Sequence, residues 1–295
     1  MIRTIFWISL LSIAACVRDD GPTIGPASPC PDADCLTRAN GFHDPAWSPD
    51  GTHIALVKWG DVQSPPGLYL VDPTGDGLRL VHPDANLRWP AWNPTGDTLW
   101  AISGGQLLRI AVADGKVSVA GSRGQYARPA VNPVSGEILV HIDPRALKSN
   151  RDMIEEPGLY RIPARRLVAS GSDGAWAPDG ASYWWVEPVP GRPSVTRLIR
   201  SLSADDARAD SLAPFADRAI GVPTPSPDQT LILFASGRLF QYRFATKTLL
   251  ALTTGPAERA TWSTDGARIA YSDGQGVVWL MQADGEGRTR LTPSF

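Results

Sequence analysis

The 295 residues carry 28 Lys and Arg against 30 Asp and Glu, a formal net charge of -2, so there is no diffuse basic field to hold nucleic acid or an anionic bilayer. With 43% apolar and 20% charged residues, the chain has the makeup of a core-forming globular protein. Its 28 Gly, 27 Pro and 11 Trp imply many short elements joined by tight reversals, which argues against long helices and for an all-β class.

In chain order, the first element is a leader. Arg3 supplies a short positive region, and Ile5 to Ala15 is an apolar run interrupted only by Ser9 and Ser12. It is shorter than the ~20 apolar residues that span a bilayer as a helix. The run ends in Ile13-Ala14-Ala15-Cys16, which resembles the lipobox of bacterial lipoprotein signal peptides. The resemblance implies that residues 1–15 are a lipoprotein signal peptide and that Cys16 becomes the lipidated first residue, anchoring the chain on a periplasmic or extracellular membrane face. The alternative is an ordinary secretory signal with an incidental cysteine.

Residues 16–35 lack apolar periodicity and read as a tether. Cys30 and Cys35, the remaining cysteines, enclose Pro31-Asp32-Ala33-Asp34, and an oxidising compartment favours a small disulfide loop between them. A metal pair or redox dithiol would call for further Cys or His close by, and none follows.

From residue 36 to 295 one pattern recurs. Aligned on Pro45-Ala46-Trp47-Ser48-Pro49-Asp50-Gly51, the copies place Trp47, Trp92, Val131, Trp176, Pro225 and Trp262 in register, with spacings of 45, 39, 45, 49 and 37 residues. Periods of ~40 to 45 residues with several strands each mark propeller blades. A turn follows each aligned position, as in Ser48-Pro49-Asp50-Gly51, Asn93-Pro94-Thr95-Gly96, Ala177-Pro178-Asp179-Gly180 and Ser263-Thr264-Asp265-Gly266. Pro presets one dihedral, Asp bonds back to the backbone and Gly takes positive φ, so each copy specifies a hairpin. Short apolar runs come next, among them Ile54-Ala55-Leu56-Val57 and Tyr183-Trp184-Trp185-Val186, then a third strand such as Leu68-Tyr69-Leu70-Val71 and a fourth such as Leu78-Arg79-Leu80-Val81. Four strands per repeat predict an all-β, six-bladed β-propeller of four-stranded antiparallel blades.

Trp-Ser-Pro-Asp-Gly, a hydrophobic strand, Tyr69-Leu70-Val71-Asp72 and the closing Arg290-Leu291-Thr292 resemble the WD-like repeat of TolB-type propellers, which is shared with prolyl-oligopeptidase relatives. The resemblance is weakest in the fifth copy, where Pro225 replaces the tryptophan and Gln229 the glycine. It implies envelope protein interaction, although the amino-terminal α/β domain of TolB has no counterpart in the roughly thirty residues between Cys16 and Trp47. Leu36-Thr37 resembles the last-strand ending Leu291-Thr292; it either adds an outer strand to the final blade or lies along its edge.

Catalytic signatures are scarce: the chain contains no Gly-x-Ser-x-Gly, His-Glu-x-x-His, Gly-x-x-x-x-Gly-Lys or Cys-x-x-Cys. The hydrolase domain that accompanies some propellers of this repeat is missing, so the expectation is a binding protein rather than an enzyme. No cofactor and no metal is expected. The four histidines His43, His53, His82 and His141 stand at no metal-ligand spacing, and the aspartate- and glycine-rich stretches Asp72 to Gly77 and Ala283 to Gly287 lack the carboxylate pattern of a calcium loop.

Topology sends the second-to-third loops and the blade-to-blade loops to one face and the Pro-Asp-Gly turns to the other. The first face carries the longer loops, Lys58 to Gly67, Asp143 to Pro157 and Glu187 to Ser194, where specificity normally resides. The candidate binding face is therefore His43, Asp44, Lys58, Trp59, Arg88, Trp89, Tyr126, Arg128, Arg145, Arg151, Arg218, Glu258 and Arg259, rich in the aromatic and arginine anchors of interfaces. Any one of these could instead pack between blades or simply keep the face wet. The repeated tryptophans are read as structural. The resulting expectation is a lipid-anchored envelope propeller that binds an envelope protein or cell-wall ligand and no nucleic acid. The rivals are a channel-mouth lyase or hydrolase and a small-ligand-binding lipoprotein.

Overall fold

The structure, a computed structural model, describes residues 40–60, 64–120, 126–142, 157–164, 166–201, 203, 209–211 and 220–293. Cys16, Cys30, Cys35, Leu36, Thr37, Arg145, Arg151 and Arg218 lie outside these residues. Six four-stranded antiparallel sheets follow one another along the chain, with no helix among the described residues. The innermost strands are Gly41–Trp47, Leu87–Trp92, Tyr126–Val131, Ser172–Trp176, Thr224–Pro225 and Arg259–Trp262. In every sheet the strands run outward in sequence order, as the repeat predicts.

One apolar cluster fills each seam between neighbouring blades. Val57, Leu68 and Leu70 of blade one meet Leu87, Leu99 and Leu108 of blade two, and equivalent clusters join each of the next four pairs. The sixth cluster joins the last blade to the first, packing Ala270, Val278 and Leu280 against Phe42, Ile54 and Leu56. The second strands are buried on both faces because each blade is sandwiched by two others, which explains why they read as continuous apolar runs.

The repeat tryptophans belong to this packing. Trp47, Trp176 and Trp262 are buried. Arg268 of blade six lies 5.1 Å from the Trp47 ring and Arg161 of blade three 5.8 Å from that of Trp176, so a cation of one blade covers the indole of the next.

Ring closure depends on two glycines. Phe42 donates its backbone N–H to Gly276 O at 2.8 Å, and Gly41 (φ 127) and Gly276 (φ 83) face each other so closely that a Cβ on either would overlap the other strand's backbone. Thr264 Oγ1 adds a bond to Ser48 O at 3.3 Å. The stretch Glu187 to Ser194, expected as a loop, is instead a strand hairpin: Tyr183–Val189 pairs with Arg192–Ser201. Gly191 at φ 77 makes its reversal.

Candidate functional site

Three residues before each repeat tryptophan position stand Asp44, Trp89, Arg128, Asp173, Val222 and Arg259, one per blade in ring order. In blades one to four the pairing register slips here, between His43 and Ala46, Arg88 and Ala91, Ala127 and Ala130, and Ser172 and Ala175. The residue in the bulge adopts a left-handed backbone, with φ of 51° at Asp44, 53° at Trp89, 53° at Arg128 and 56° at Asp173. For residues with a Cβ this costs about 1–3 kcal/mol each, and such strain gathers where a side chain must be aimed. Proline follows in three of the four, and proline excludes the ordinary helical alternative for the residue before it. Blade six shows no slip between Arg259–Trp262 and its partner strand.

The bulges gather side chains from four blades into a continuous stack. His43 lies parallel to Trp59 at 4.7 Å. The Arg88 guanidinium sits 5.3 Å from the Trp59 ring and 5.6 Å from Trp89, and Arg128 approaches the same Trp89 at 5.8 Å. Arg128 Nη1 then donates to Asp173 at 3.0 Å. Asp44 Oδ2 accepts the backbone N–H of Trp89 at 3.1 Å, tying blade one to blade two. On the other side of the ring His43 Nδ1 is 3.8 Å from Glu258 Oε2, beyond hydrogen-bond range.

Most of the candidate-face residues that the structure describes are interior. His43, Asp44, Arg88, Trp89, Tyr126 and Asp173 are buried, and the reachable members are Trp59, Arg128, Glu258 and Arg259. Lys58 is fully buried, its ammonium donating to Gly60 O at 3.0 Å and Ser64 O at 2.8 Å, so it holds its own loop. Tyr126 packs in the apolar seam between blades two and three. Trp59 donates Nε1–H to Leu87 O at 2.9 Å, which fixes its ring between two blades. Among the described residues no group of three or more His, Cys, Asp or Glu is placed to hold a metal ion.

A second concavity was not anticipated. The central channel contains a cavity of about 590 Å³, bounded at one end by Arg259 and reaching the Pro-Asp-Gly turns at the other. Pro45, Pro90, Pro129 and Pro223 form its waist, and Pro49, Pro94, Pro133, Pro178 and Pro227 its mouth. The turn face, expected to serve construction alone, thus carries a concavity of its own. The recurrence of proline two positions before the tryptophan register was visible in the sequence; that these rings converge on one lumen was not.

The turns themselves carry aspartates outside the cavity lining. Asp50, Asp228 and Asp265 are held below the ordinary aspartate range chiefly by the serine hydroxyl of their own turn and then by a backbone N–H. In Asp179 the backbone N–H of Ala181 is the main cause, with Gln229 second.

No protein-family model matches the chain, and no curated protein matches it by sequence. Solved structures do match its fold. A protein described as TolB from Agrobacterium tumefaciens superposes with a TM-score of 0.60 at 18% identity, over 73% of this chain and 84% of that one. A gluconolactonase from Xanthomonas campestris gives 0.61 at 15% identity, over 83% and 87%. An oligogalacturonate lyase in complex with manganese gives 0.53 at 14% identity, over 81% and 76%.

Two of these neighbours are enzymes, which overturns the expectation that a chain lacking catalytic motifs and a hydrolase domain is not one. The physical reason is that a propeller gathers its site from several blades, so catalytic groups need share no contiguous motif. By fold, the chain is a six-bladed β-propeller, similar in architecture to these solved structures.

Proposed function

We propose that the chain is a lipid-anchored propeller of the cell envelope, held at Cys16, that recognises an envelope protein or cell-wall ligand at the blade-entry ring. The observation carrying this reading is the strained ring itself. Four consecutive blades accept left-handed backbone at Asp44, Trp89, Arg128 and Asp173, and the resulting stack presents Arg128 and Trp59 at its exposed edge. A packing role alone would be met by the unstrained register of blade six.

The test uses full-length lipidated protein captured from its native envelope, beside the Arg128→Lys variant, which keeps a cation toward buried Asp173 while removing the planar guanidinium. The partner recovered with the parent should be lost with the variant while the melting temperature stays within a few degrees; equal recovery by both proteins rejects the ring as the site. Cys16→Ser should release the protein from membranes, and retention would refute the anchor.

A second reading rests on the His43 and Glu258 pair. Glu258, one-third exposed with a buried imidazole 3.8 Å behind it and Arg259 beside it, has the makeup of a channel-mouth acid or base for a hydrolase or lyase. Turnover of a lactone and oligosaccharide panel that is abolished by Glu258→Gln selects this reading.

A further inference from the structure

We infer that the channel cavity binds a small monocarboxylic acid with an apolar body, the carboxylate placed toward Arg259 and the body against the proline- and alanine-lined wall of blades one to four. Its volume of about 590 Å³ falls in the range of small-molecule sites. The site draws on neither Arg128 nor Glu258, so it stands apart from both readings above.

The lumen is apolar because most of its polar side chains are already spent. Ser48 and Ser263 donate to Asp50 and Asp265, both at 2.6 Å. Thr264 Oγ1 donates to Ser48 O at 3.3 Å and Thr224 Oγ1 to Ala260 O at 3.1 Å. Asn93 Nδ2 donates to Thr95 at 2.6 Å and to Asp97 at 2.8 Å. Trp92 and Trp262 give their indole N–H groups to Ala46 O and Thr224 O. Those of Trp47 and Trp176 find no acceptor among the described residues and are sealed inside the wall. The lumen therefore presents mainly pyrrolidine rings and alanine, a surface that favours apolar over hydroxylated groups.

One arc of the wall breaks this pattern, and the blade-entry bulges explain why. Three positions before the tryptophan register, the bulges of blades one to four take Asp44, Trp89, Arg128 and Asp173 out of the lining, whereas Val222 and Arg259 of blades five and six remain in it. Blade six has no slip, and among the described residues Arg259 is the one charged member of the lining. One position before the register, blades one to four place Ala46, Ala91, Ala130 and Ala175, and blade six places Thr261. Arg259 and Thr261 are two apart on one strand, so they project on the same side of it. Arg259 is partly exposed, with Nη1 held inside the wall. A guanidinium so placed sets a fixed positive charge at one end of a low-dielectric lumen.

A carboxylate fits that end, and an apolar body fits the rest. Blade three lies across the ring from blade six and carries Val131 where blades one, two, four and six carry tryptophan, a smaller side chain that leaves room opposite Arg259. An ammonium group would meet Arg259 as a like charge. A sugar would bury its hydroxyls against prolines that offer them no partner. Asp50, Asp228 and Asp265, ionised in the turns beyond the lining, oppose a second negative charge, which favours a monoanion over a dianion.

The test is calorimetric titration of the purified full chain with 4-phenylbutyrate, indole-3-acetate and octanoate, beside their primary amides, 4-phenylbutylamine and succinate. At least one of the acids should bind, its amide about tenfold more weakly, and the amine and the dianion not measurably. Arg259→Gln should weaken the acid about tenfold, Arg259→Lys less, and Thr261→Val about two- to threefold. Ala130→Leu, which fills the lumen from blade three, should weaken it about fivefold or more. Lys116→Gln, the same loss of charge on an exposed hairpin, should leave affinity unchanged. Binding of none of the acids, an amide bound as tightly as its acid, or affinity indifferent to Arg259→Gln or to Ala130→Leu overturns the assignment. The acid-to-amide comparison on the parent, together with Ala130→Leu, keeps the test decisive if Arg259→Gln does not fold.

Discussion

The two faces of this propeller are built on opposite plans. On the turn face one recipe is executed repeatedly: a side-chain oxygen at the first turn position accepts the backbone N–H five residues on. Ser48 does so from His53 at 2.9 Å, Asn93 from Thr98 at 3.0 Å, Ser226 from Leu231 at 3.0 Å and Ser263 from Arg268 at 2.8 Å. Ser and Asn interchange because each offers an oxygen at that position. On the loop face the blades diverge: the equivalent positions hold aspartate in two (Asp44 and Asp173), arginine in two (Arg128 and Arg259), and Trp89 and Val222 in the others, and four of the six are bulged. Repetition therefore marks what every blade needs in order to fold, and divergence marks what the assembled ring uses.

The sharpest way to break that contrast is to remove a repeated element. Trp262→Ala deletes a buried indole and its bond to Thr224 O, and should cost about 3–5 kcal/mol in denaturant unfolding; a loss below about 1 kcal/mol would deny the repeat tryptophans their structural role. Closure of the ring is the next target. Gly276→Ala sets a methyl group against the Asn40 carbonyl and demands a left-handed alanine, with an expected cost of roughly 2–3 kcal/mol. The same substitution at Gly191, where nothing lies within 4 Å, should cost less, only the strain of its φ.

Acid should weaken the turn face selectively. Asp50, Asp179, Asp228 and Asp265 have depressed values in the fold, so the unfolded chain takes up protons first as the pH drops. Their contribution is complete above the ordinary aspartate value of 3.8 and is lost as the pH falls below it through the lowered values. An Asp50→Asn, Asp228→Asn, Asp265→Asn variant should flatten the loss of melting temperature in that window; an unchanged slope would show that the turns do not depend on charge.

The smallest effect is expected at Gln229, which stands where other turns have glycine. It keeps the left-handed backbone at φ 59°, and its side chain donates to Asp179 at 2.9 Å and accepts from Arg200 at 3.0 Å, joining blade five to blade four. Gln229→Gly relieves strain while losing those bonds and should change stability by less than about 0.5 kcal/mol, whereas Gln229→Ala keeps the strain and should cost about 1 kcal/mol.

Six blades, their turns and their inner tryptophans were legible because local physical rules repeat at a fixed period: alternation of turn formers with short apolar runs needs no knowledge of what lies across the ring. The membership of the candidate face was also largely readable, since His43, Trp59, Arg88, Trp89 and Arg128 do come together. Their burial was not. Lys58 reads as a surface cation until the loop folds two carbonyls over it, and Arg88 as an interface anchor until two tryptophans enclose it.

The sequence by itself determined the blade, because a strand, a Pro-Asp-Gly turn and the next strand are fixed by neighbours within about ten residues. Only the tertiary structure decided the sites. Which carboxylate faces which arginine, which indole lacks an acceptor and where the prolines leave a cavity all depend on six blades closing at Gly41 and Gly276, and that closure joins residues more than two hundred positions apart.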